Sequence, residues 1–444
     1  MSNEQDKLSA IEKQDAFLDR WVSGDGIEFP SAENKAAYQE RAGLVADAIK
    51  INPAIKRVPT MPMTTFGPTM LKGISGRQAM YDPDAAGQAY LDFCTTYLPD
   101  TAGAAPMLMY GPALETLQYK LYKWPGNGVA EHLSYQFHEK EYMKDDEFDH
   151  LINDPTDFWL RSWIPKTHSA LAPFATLPPV YGSMELPMLG PLLIGLGTPP
   201  VQEALKALME AGKQCFDWIN TLGAYLGQIM GAGFPFAAGG ATKAPFDVLS
   251  DSFRGTTALM MDLYRRPEKV VEAVECLVQP MIANGVSGAV ANNNPIVFIP
   301  LHKGADGFMS DEQFKKFYWP TLKAVMLGLA EAGCVPACFA EGGYNQRLEY
   351  LAETSHIRSL YLFDRTDMGK ARERLGGKVC IGGGFPISFI LTGTTDQVRE
   401  ETKKLIDAAA GDKGYIMSIG CAMDQAKHET LAAFMQTTMD YGKY

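Results

Sequence analysis

Residues 335–351 read VPACFAEGGYNQRLEYL. Val335 to Phe339 is an apolar run of strand length, Gly342 and Gly343 break it, and helical spacing takes over from Asn345 to Thr354. The same strand-then-helix unit recurs on both sides. PIVFIPL (295–301) precedes a helical pattern from Asp311 to Ala332, and SLYLF (359–363) precedes one from Asp367 to Leu375. VCI (379–381) and YIMSI (415–419) flank another from Thr395 to Ala409. Short β-branched or aromatic runs alternating with helices imply parallel strands joined by helical crossovers. Such units close as a barrel or stay open as a doubly wound sheet. No G-x-G-x-x-G follows a first strand, so a dinucleotide-binding sheet lacks its best sequence mark. The expected fold class is α/β, a (β/α)8 TIM barrel.

Outward from these units the texture changes twice. Residues 1–56 read as an N-terminal helical extension, with Leu8 to Trp21 amphipathic and Ser31 in the N-cap position of a second helix. The barrel is assigned to 57–444, a size that α/β barrels with insertions reach as one domain. In the middle, Leu171 to Pro200 (LAPFATLPPVYGSMELPMLGPLLIGLGTPP) is too apolar for a solvated loop and too broken for a long helix. It is expected to line or cap a large apolar cavity; a buried insertion without ligand contact is the alternative. Trp218 to Thr242 carries no charge and has the length of a membrane span, but Asn220, Thr221, Gln228 and the breaker-rich 231–240 read better as a buried helix running into a loop.

The net charge of −12 and the absence of a basic tract argue against nucleic acid, whose binding needs clustered Lys and Arg. Hydrophobic residues make up 46% of the 444, enough for a sizeable core. Seven cysteines, odd in number and scattered, with a polar start from Met1 to Gln14, point to a reducing cytoplasm, free thiols and no membrane association.

In a (β/α)8 barrel, polar residues just after each strand are the site candidates. Here they are His302, Lys303 and Asp306; Glu341, Tyr344, Asn345 and Arg347; Asp364, Arg365 and Asp367; Gly382 to Gly384; and Cys421 with Asp424. Glu341 ends an apolar strand and is the leading candidate, although an ion pair with Arg347 or Lys303 is open to it. Asp367 heads a helix and reads as its N-cap. Cys334 and Cys338 share a strand face and read as core packing. His132, His138 and Glu139 belong to a rim loop or to a helix surface.

The ordered set HKGADGFMSDEQFKKFYWP, FAEGGYNQRLEYL, LFDRTDMGKARERLG, CIGGGFPISFILTGTTDQV and GYIMSIGCAMDQAKHETLAAF resembles the uroporphyrinogen-decarboxylase-like superfamily, closely over the C-terminal third and loosely elsewhere. The resemblance implies a single barrel with an N-terminal helical extension. It also implies either the decarboxylase itself or a cobalamin-dependent methyltransferase. The decarboxylase branch carries an arginine-rich motif near the first strand, whereas Val58 to Met70 holds no arginine. The thiol-directed methyltransferases bind zinc through a His-x-Cys pair and a later Cys. The corresponding positions here are Phe339, Glu341 and Cys421, so two of the three ligands differ.

The resemblance therefore implies a corrinoid-dependent methyltransferase that moves a methyl group between a small O-, S- or N-methylated substrate and a corrinoid. Glu341, His302 and Asp364 are its catalytic candidates, and Tyr344, Asn345, Gly383 and Lys303 its substrate contacts. Two forms of the chemistry are open. In one, zinc held by Glu341, Cys421 and His302 polarises the substrate heteroatom. In the other, Glu341 is a general acid whose pKa burial has raised. The sequence holds no D-x-H-x-x-G cobalt-ligating motif, so the cobalamin is expected on a separate corrinoid carrier protein. A homodimer is allowed. The alternatives are a metal-independent lyase or decarboxylase on the same barrel, and a non-catalytic corrinoid or tetrapyrrole binder.

Overall fold

A computed structural model describes residues 8–103 and 110–444. Its main sheet has six parallel strands in sequential order: β4 (Gly240–Ala241), β5 (Ile296–Leu301), β6 (Val335–Ala340), β7 (Leu360–Phe363), β8 (Cys380–Gly383) and β9 (Tyr415–Ile416). Parallel neighbours that are consecutive in sequence require a crossover each, and helices occupy those crossovers. Two further extended segments close the ring. Met61 donates its backbone N–H to the carbonyl of Met417 at 2.9 Å, and Met417 donates to Pro59 at 2.9 Å. Thr101 donates to Thr60 at 3.3 Å, Ala102 to Pro235 at 2.8 Å and Ala237 to Ala102 at 3.0 Å. Gly239 then donates to Ile296 at 2.9 Å, which joins the third segment to β5. Eight extended segments thus follow one another around the ring, in agreement with the expected (β/α)8 architecture.

The third segment lies inside the glycine-rich stretch read from sequence as a loop. A Cβ on Gly240 would stand 2.5 Å from the Gly285 carbonyl oxygen, so glycine there lets a helix backbone lie directly on the strand. The loop signal was therefore a packing signal.

The extension forms α1 (Ala10–Ser23) and α2 (Ala32–Lys50). Ser9 and Glu12 make a reciprocal capping box at the start of α1, and Ser31 accepts from Asn34 N–H at the start of α2. Both helices seal the lower end of the barrel. Leu18, Trp21, Tyr38, Val45 and Ile49 share one core with Ile296, Val335, Leu360 and Ile416. Above them Phe298 and Phe339 stack at 6.2 Å, so the lumen is filled with side chains.

Between the second and third barrel segments lie two additions. The first is a small sheet of β1 (Tyr122–Pro125), β2 (Gly128–Val129) and β3 (Gln136–Phe137). His138 and Glu139 follow β3 directly, and His132 lies in the turn before it, so this stretch is a rim loop and not a helix surface. The second addition is the apolar insertion, which leads into α3 (Pro199–Gly231), a helix of 33 residues. At 1.5 Å per residue α3 is about 50 Å long and outruns barrel strands of six residues or fewer. Leu171, Phe174 and Leu177 pack against Val201 and Ala204 of α3. From Val180 on, however, the insertion is mostly exposed, and its Tyr181 borders an open pocket with polar side chains such as His150, Asp157 and Arg161, where the sequence pointed to an apolar cavity. No helix of the described residues is long and apolar enough to cross a membrane.

Candidate functional site

The upper ends of successive strands converge on one polar network. β4 runs into Lys243, and the turn after it carries Asp247 and Asp251, four residues apart within one helical stretch. β5 ends at His302 and Lys303, β6 at Glu341, β7 at Asp364, and β9 leads to Cys421 and Asp424. Asp247 is fully buried. Its two carboxylate oxygens accept the backbone N–H groups of His302 and Lys303, both at 3.0 Å, and the Tyr318 hydroxyl at 2.8 Å. It thereby fixes the turn that aims His302. The Nδ1 of His302 lies 2.5 Å from Asp251 Oδ2, the same oxygen that accepts from Lys243 Nζ at 2.7 Å. Lys303 Nζ stands 3.4 Å from the other Asp251 oxygen. On its far side, His302 Nε2 faces Glu341 Oε1 at 3.6 Å.

This wiring separates the protonation behaviour of the carboxylates. Burial raises the Asp247 carboxyl above its usual range, and the neighbouring Asp251 charge adds to the rise. Burial acts in the same sense on Asp251, but the His302 hydrogen bond and the Lys243 charge outweigh it and hold that carboxyl low. His302 is desolvated, which lowers an imidazole pKa, yet the Asp251 hydrogen bond and the Asp247, Asp251 and Glu341 charges leave it raised. Glu341 is raised by the walls of the mouth and then by Asp251 and Asp364, against the opposing charge of His302. Its side chain is still 45% exposed, so a molecule arriving from solvent can reach it. Glu341 is thus an accessible carboxyl biased toward its protonated form and backed by an oriented histidine.

The other residues expected at the site divide. Asp364 accepts from the backbone N–H of Gly342 at 3.0 Å and so braces the turn after Glu341. Tyr344 is fully buried and donates to the Leu301 carbonyl at 3.4 Å, so it forms the floor beneath the site and offers no substrate contact. Asn345 accepts from Asp367 N–H at 3.1 Å, one loop bracing the next. Gly383 is buried with φ +80°, and a Cβ there would meet the Phe363 carbonyl oxygen at 2.3 Å; it serves strand packing and not ligand approach. Arg347 pairs with Asp311 at 2.9 Å, so neither it nor Lys303 takes up Glu341. Asp367 is the N-cap expected of it, accepting from Lys370 N–H. Cys334 and Cys338 are core residues.

Lys243, Asp247 and Asp251 were not among the sequence candidates, because the glycine-rich third strand was read as a loop. Their four-residue spacing behind a short Gly-Gly-Ala-Thr run was the available signal. Tyr122 was missed as well. It sits on the rim sheet, its pKa raised by burial and then by the charges of Asp251 and Glu341. Ser134 on the same flap donates to Asp424 Oδ2 at 2.6 Å, and Thr65 holds the other Asp424 oxygen, so the flap is pinned to the end of β9.

Among the described residues no three His, Cys, Asp or Glu side chains stand in a metal-holding arrangement. The Cys421 thiol is pushed up to about 11 by burial and then by Asp364, Asp424 and Glu341, which keeps it protonated while no metal is bound. His302 has Nδ1 engaged with Asp251. That bond leaves Nε2 facing Glu341, and the described geometry does not draw Glu341, Cys421 and His302 together as a ligand set.

The sequence profile of the uroporphyrinogen decarboxylase family matches residues 232–441. That span opens at the third barrel strand and takes in every charged residue of the network. Over that span, a little under half of its length, the chain is similar to the uroporphyrinogen decarboxylase family. Its curated relatives include the uroporphyrinogen decarboxylases of Saccharophagus degradans, 28% identical over 38% of this chain and 47% of that protein, and of Teredinibacter turnerae, 26% identical over the same shares. The chain thus spans about half the length of the curated relatives it matches. Over the whole length the fold is similar to that of a methyltransferase from Methanosarcina mazei, with a TM-score of 0.58, 16% identity, and coverage of 90% of this chain and 98% of that one. The rim sheet and the apolar insertion lie outside the family match.

Proposed function

We propose that this chain belongs to the uroporphyrinogen-decarboxylase-like superfamily, that it is a corrinoid-dependent methyltransferase, and that Glu341 is its general acid. The carrying observation is an accessible carboxyl with a raised pKa at the mouth of the barrel, backed by His302 on Asp251. A substrate O-, S- or N-methyl group placed above Glu341 becomes a better leaving group when the carboxyl donates its proton to the heteroatom. The carbon–heteroatom bond then breaks, its electron pair stays on the heteroatom, and Glu341 is left as carboxylate beside His302. A reduced corrinoid, brought to the open mouth by a separate carrier protein, supplies the nucleophile that accepts the methyl group. Asp247 and Asp251 keep His302 in place, and Lys243 and Lys303 balance the Asp251 charge. The methyltransferase likeness of the Methanosarcina mazei structure supports the reading at the level of fold.

Decarboxylation of a polycarboxylate is the weaker reading. Arg57, the arginine nearest the first barrel segment, is bound through both terminal nitrogens to Asp100, at 2.7 and 2.6 Å, and has no free fork for a carboxylate. The decisive experiment mixes the protein with cob(I)alamin and a panel of methyl ethers, thioethers and methylamines, and follows the corrinoid spectrum. Methylation from one donor, lost in Glu341→Gln, is expected; no methylation from any donor would move the assignment to a lyase. Metal analysis of protein prepared without chelator tests the zinc form. Stoichiometric zinc that disappears in both Glu341→Ala and Cys421→Ala would replace the acid mechanism with a metal-assisted one.

A further inference from the structure

We propose that the uncovered apolar face of the insertion between residues 177 and 200 is a self-association surface whose occupant is the same face of a second copy of this chain. Val180, Tyr181, Met184, Leu186, Leu193 and Ile194 are 54%, 63%, 73%, 86%, 55% and 72% exposed. The elements that carry them pack on one another, so these side chains form one surface. The backbone beneath is open too: a Cβ on Gly182, Gly190 or Gly197 would meet nothing within 4 Å.

At about 150–250 Å² for a large side chain, these six expose on the order of 700 Å². That exceeds the roughly 300–600 Å² of the largest apolar patch on an ordinary monomer and approaches the ~800 Å² that each partner contributes to a standard interface. Charge narrows the choice of occupant. Glu185 is the one charged residue from Leu177 to Pro200, so the face offers nothing to a charged partner. An anionic lipid surface is disfavoured as well, since the segment has no Lys or Arg and the chain carries a net charge of −12. A second copy presents an equally apolar, equally uncharged face. In a two-fold contact each side chain counts twice, which makes the association sensitive to single changes.

Sedimentation velocity of the full chain at micromolar concentration tests this. The wild type is expected at twice the chain mass, and Leu186→Glu combined with Ile194→Glu at the single-chain mass with an unchanged far-ultraviolet circular dichroism spectrum. A wild type of single-chain mass, or a dimer that survives the double change, overturns the proposal. If the charged variant fails to fold, Leu186→Ser with Ile194→Ser gives the same readout, with dimer affinity expected to weaken by at least about tenfold. Co-sedimentation of single wild-type chains with phosphatidylcholine–phosphatidylglycerol vesicles would assign the face to lipid and likewise overturn self-association.

Discussion

Gln14 at the lower end of the barrel and Glu341 at the upper end show two uses of a polar side chain beside the same core. Gln14 is fully buried and fully engaged: its amide donates to the carbonyls of Cys334 and Arg358, and its oxygen accepts the backbone N–H of Arg358. Each bond ties α1 to the start of a strand, and no group is left to do anything else. Glu341 has no hydrogen bond of that quality; its near neighbour is His302 at 3.6 Å, and its surroundings disfavour the charged form. A satisfied polar group at a strand's beginning stabilises, whereas an unsatisfied, accessible one at a strand's end is available for chemistry. Asp247 shows that the division follows partners and not position alone. It lies at the upper end yet is buried with three donors around it, so it holds the site together without touching substrate.

Exchange of the two polar residues for uncharged or apolar isosteres separates these uses. Glu341→Gln removes the transferable proton while keeping the shape, and methyl transfer is expected to fall by about 10²–10⁴-fold, read as kcat/KM by corrinoid spectroscopy. A loss below about threefold would end the general-acid assignment. Next in size, Gln14→Leu strands two carbonyls and one N–H at the lower end and should cost about 2–4 kcal/mol of unfolding free energy in denaturant titration. The folded variant should keep kcat/KM within about twofold. A large activity loss in fully folded Gln14→Leu would mean that the two ends are coupled and that the contrast is wrong.

Much of this was legible in the chain. The last five strands announce themselves because each is a β-branched or aromatic run that buries both faces, and parallel barrel strands have that pattern. The first three do not. Thr60 and Ala102 make single ladder contacts, and β4 is Gly240–Ala241, where backbone proximity to a helix replaced side-chain bulk. The same gap hid Lys243, Asp247 and Asp251. Position after a strand was enough to find His302, Lys303, Glu341 and Asp364. It does not reveal that the Tyr344 side chain is turned beneath the floor, or that the Gly383 backbone is packed against that of Phe363. Nor could hydrophobicity tell whether the insertion covers a cavity or lies open, since that depends on where α3 ends relative to the barrel.

A smaller effect concerns the orientation of His302. Asp251→Asn weakens the bond at Nδ1, so the imidazole pKa, followed by NMR titration, should fall. Activity should drop by about tenfold, short of the loss in Glu341→Gln. The stability profile should change too. His302 has a raised folded pKa, so its contribution is complete below the ordinary imidazole value and is lost as pH rises through the folded one. Asp251, held low, contributes fully above the ordinary carboxylate value and loses that contribution as pH falls. Both are therefore complete between about pH 4 and 6.5, and Asp251→Asn should remove that plateau. An unchanged plateau would show that the pair does not supply it.

The smallest effect gives the sharpest test of the contrast, because its sign is opposite to that of the activity loss. Glu341 has a raised folded pKa, so its neutral form favours the fold at low pH and the advantage disappears as pH rises through that value. Above that value the wild type carries an ionised Glu341 that its surroundings resist, and Glu341→Gln does not. Solvent at the half-exposed side chain screens the difference, so a modest upward shift of the thermal midpoint is expected at alkaline pH, closing toward pH 4. If the variant instead melts earlier across that range, Glu341 and His302 form a stabilising ion pair, and the residue belongs with Gln14 as part of the scaffold.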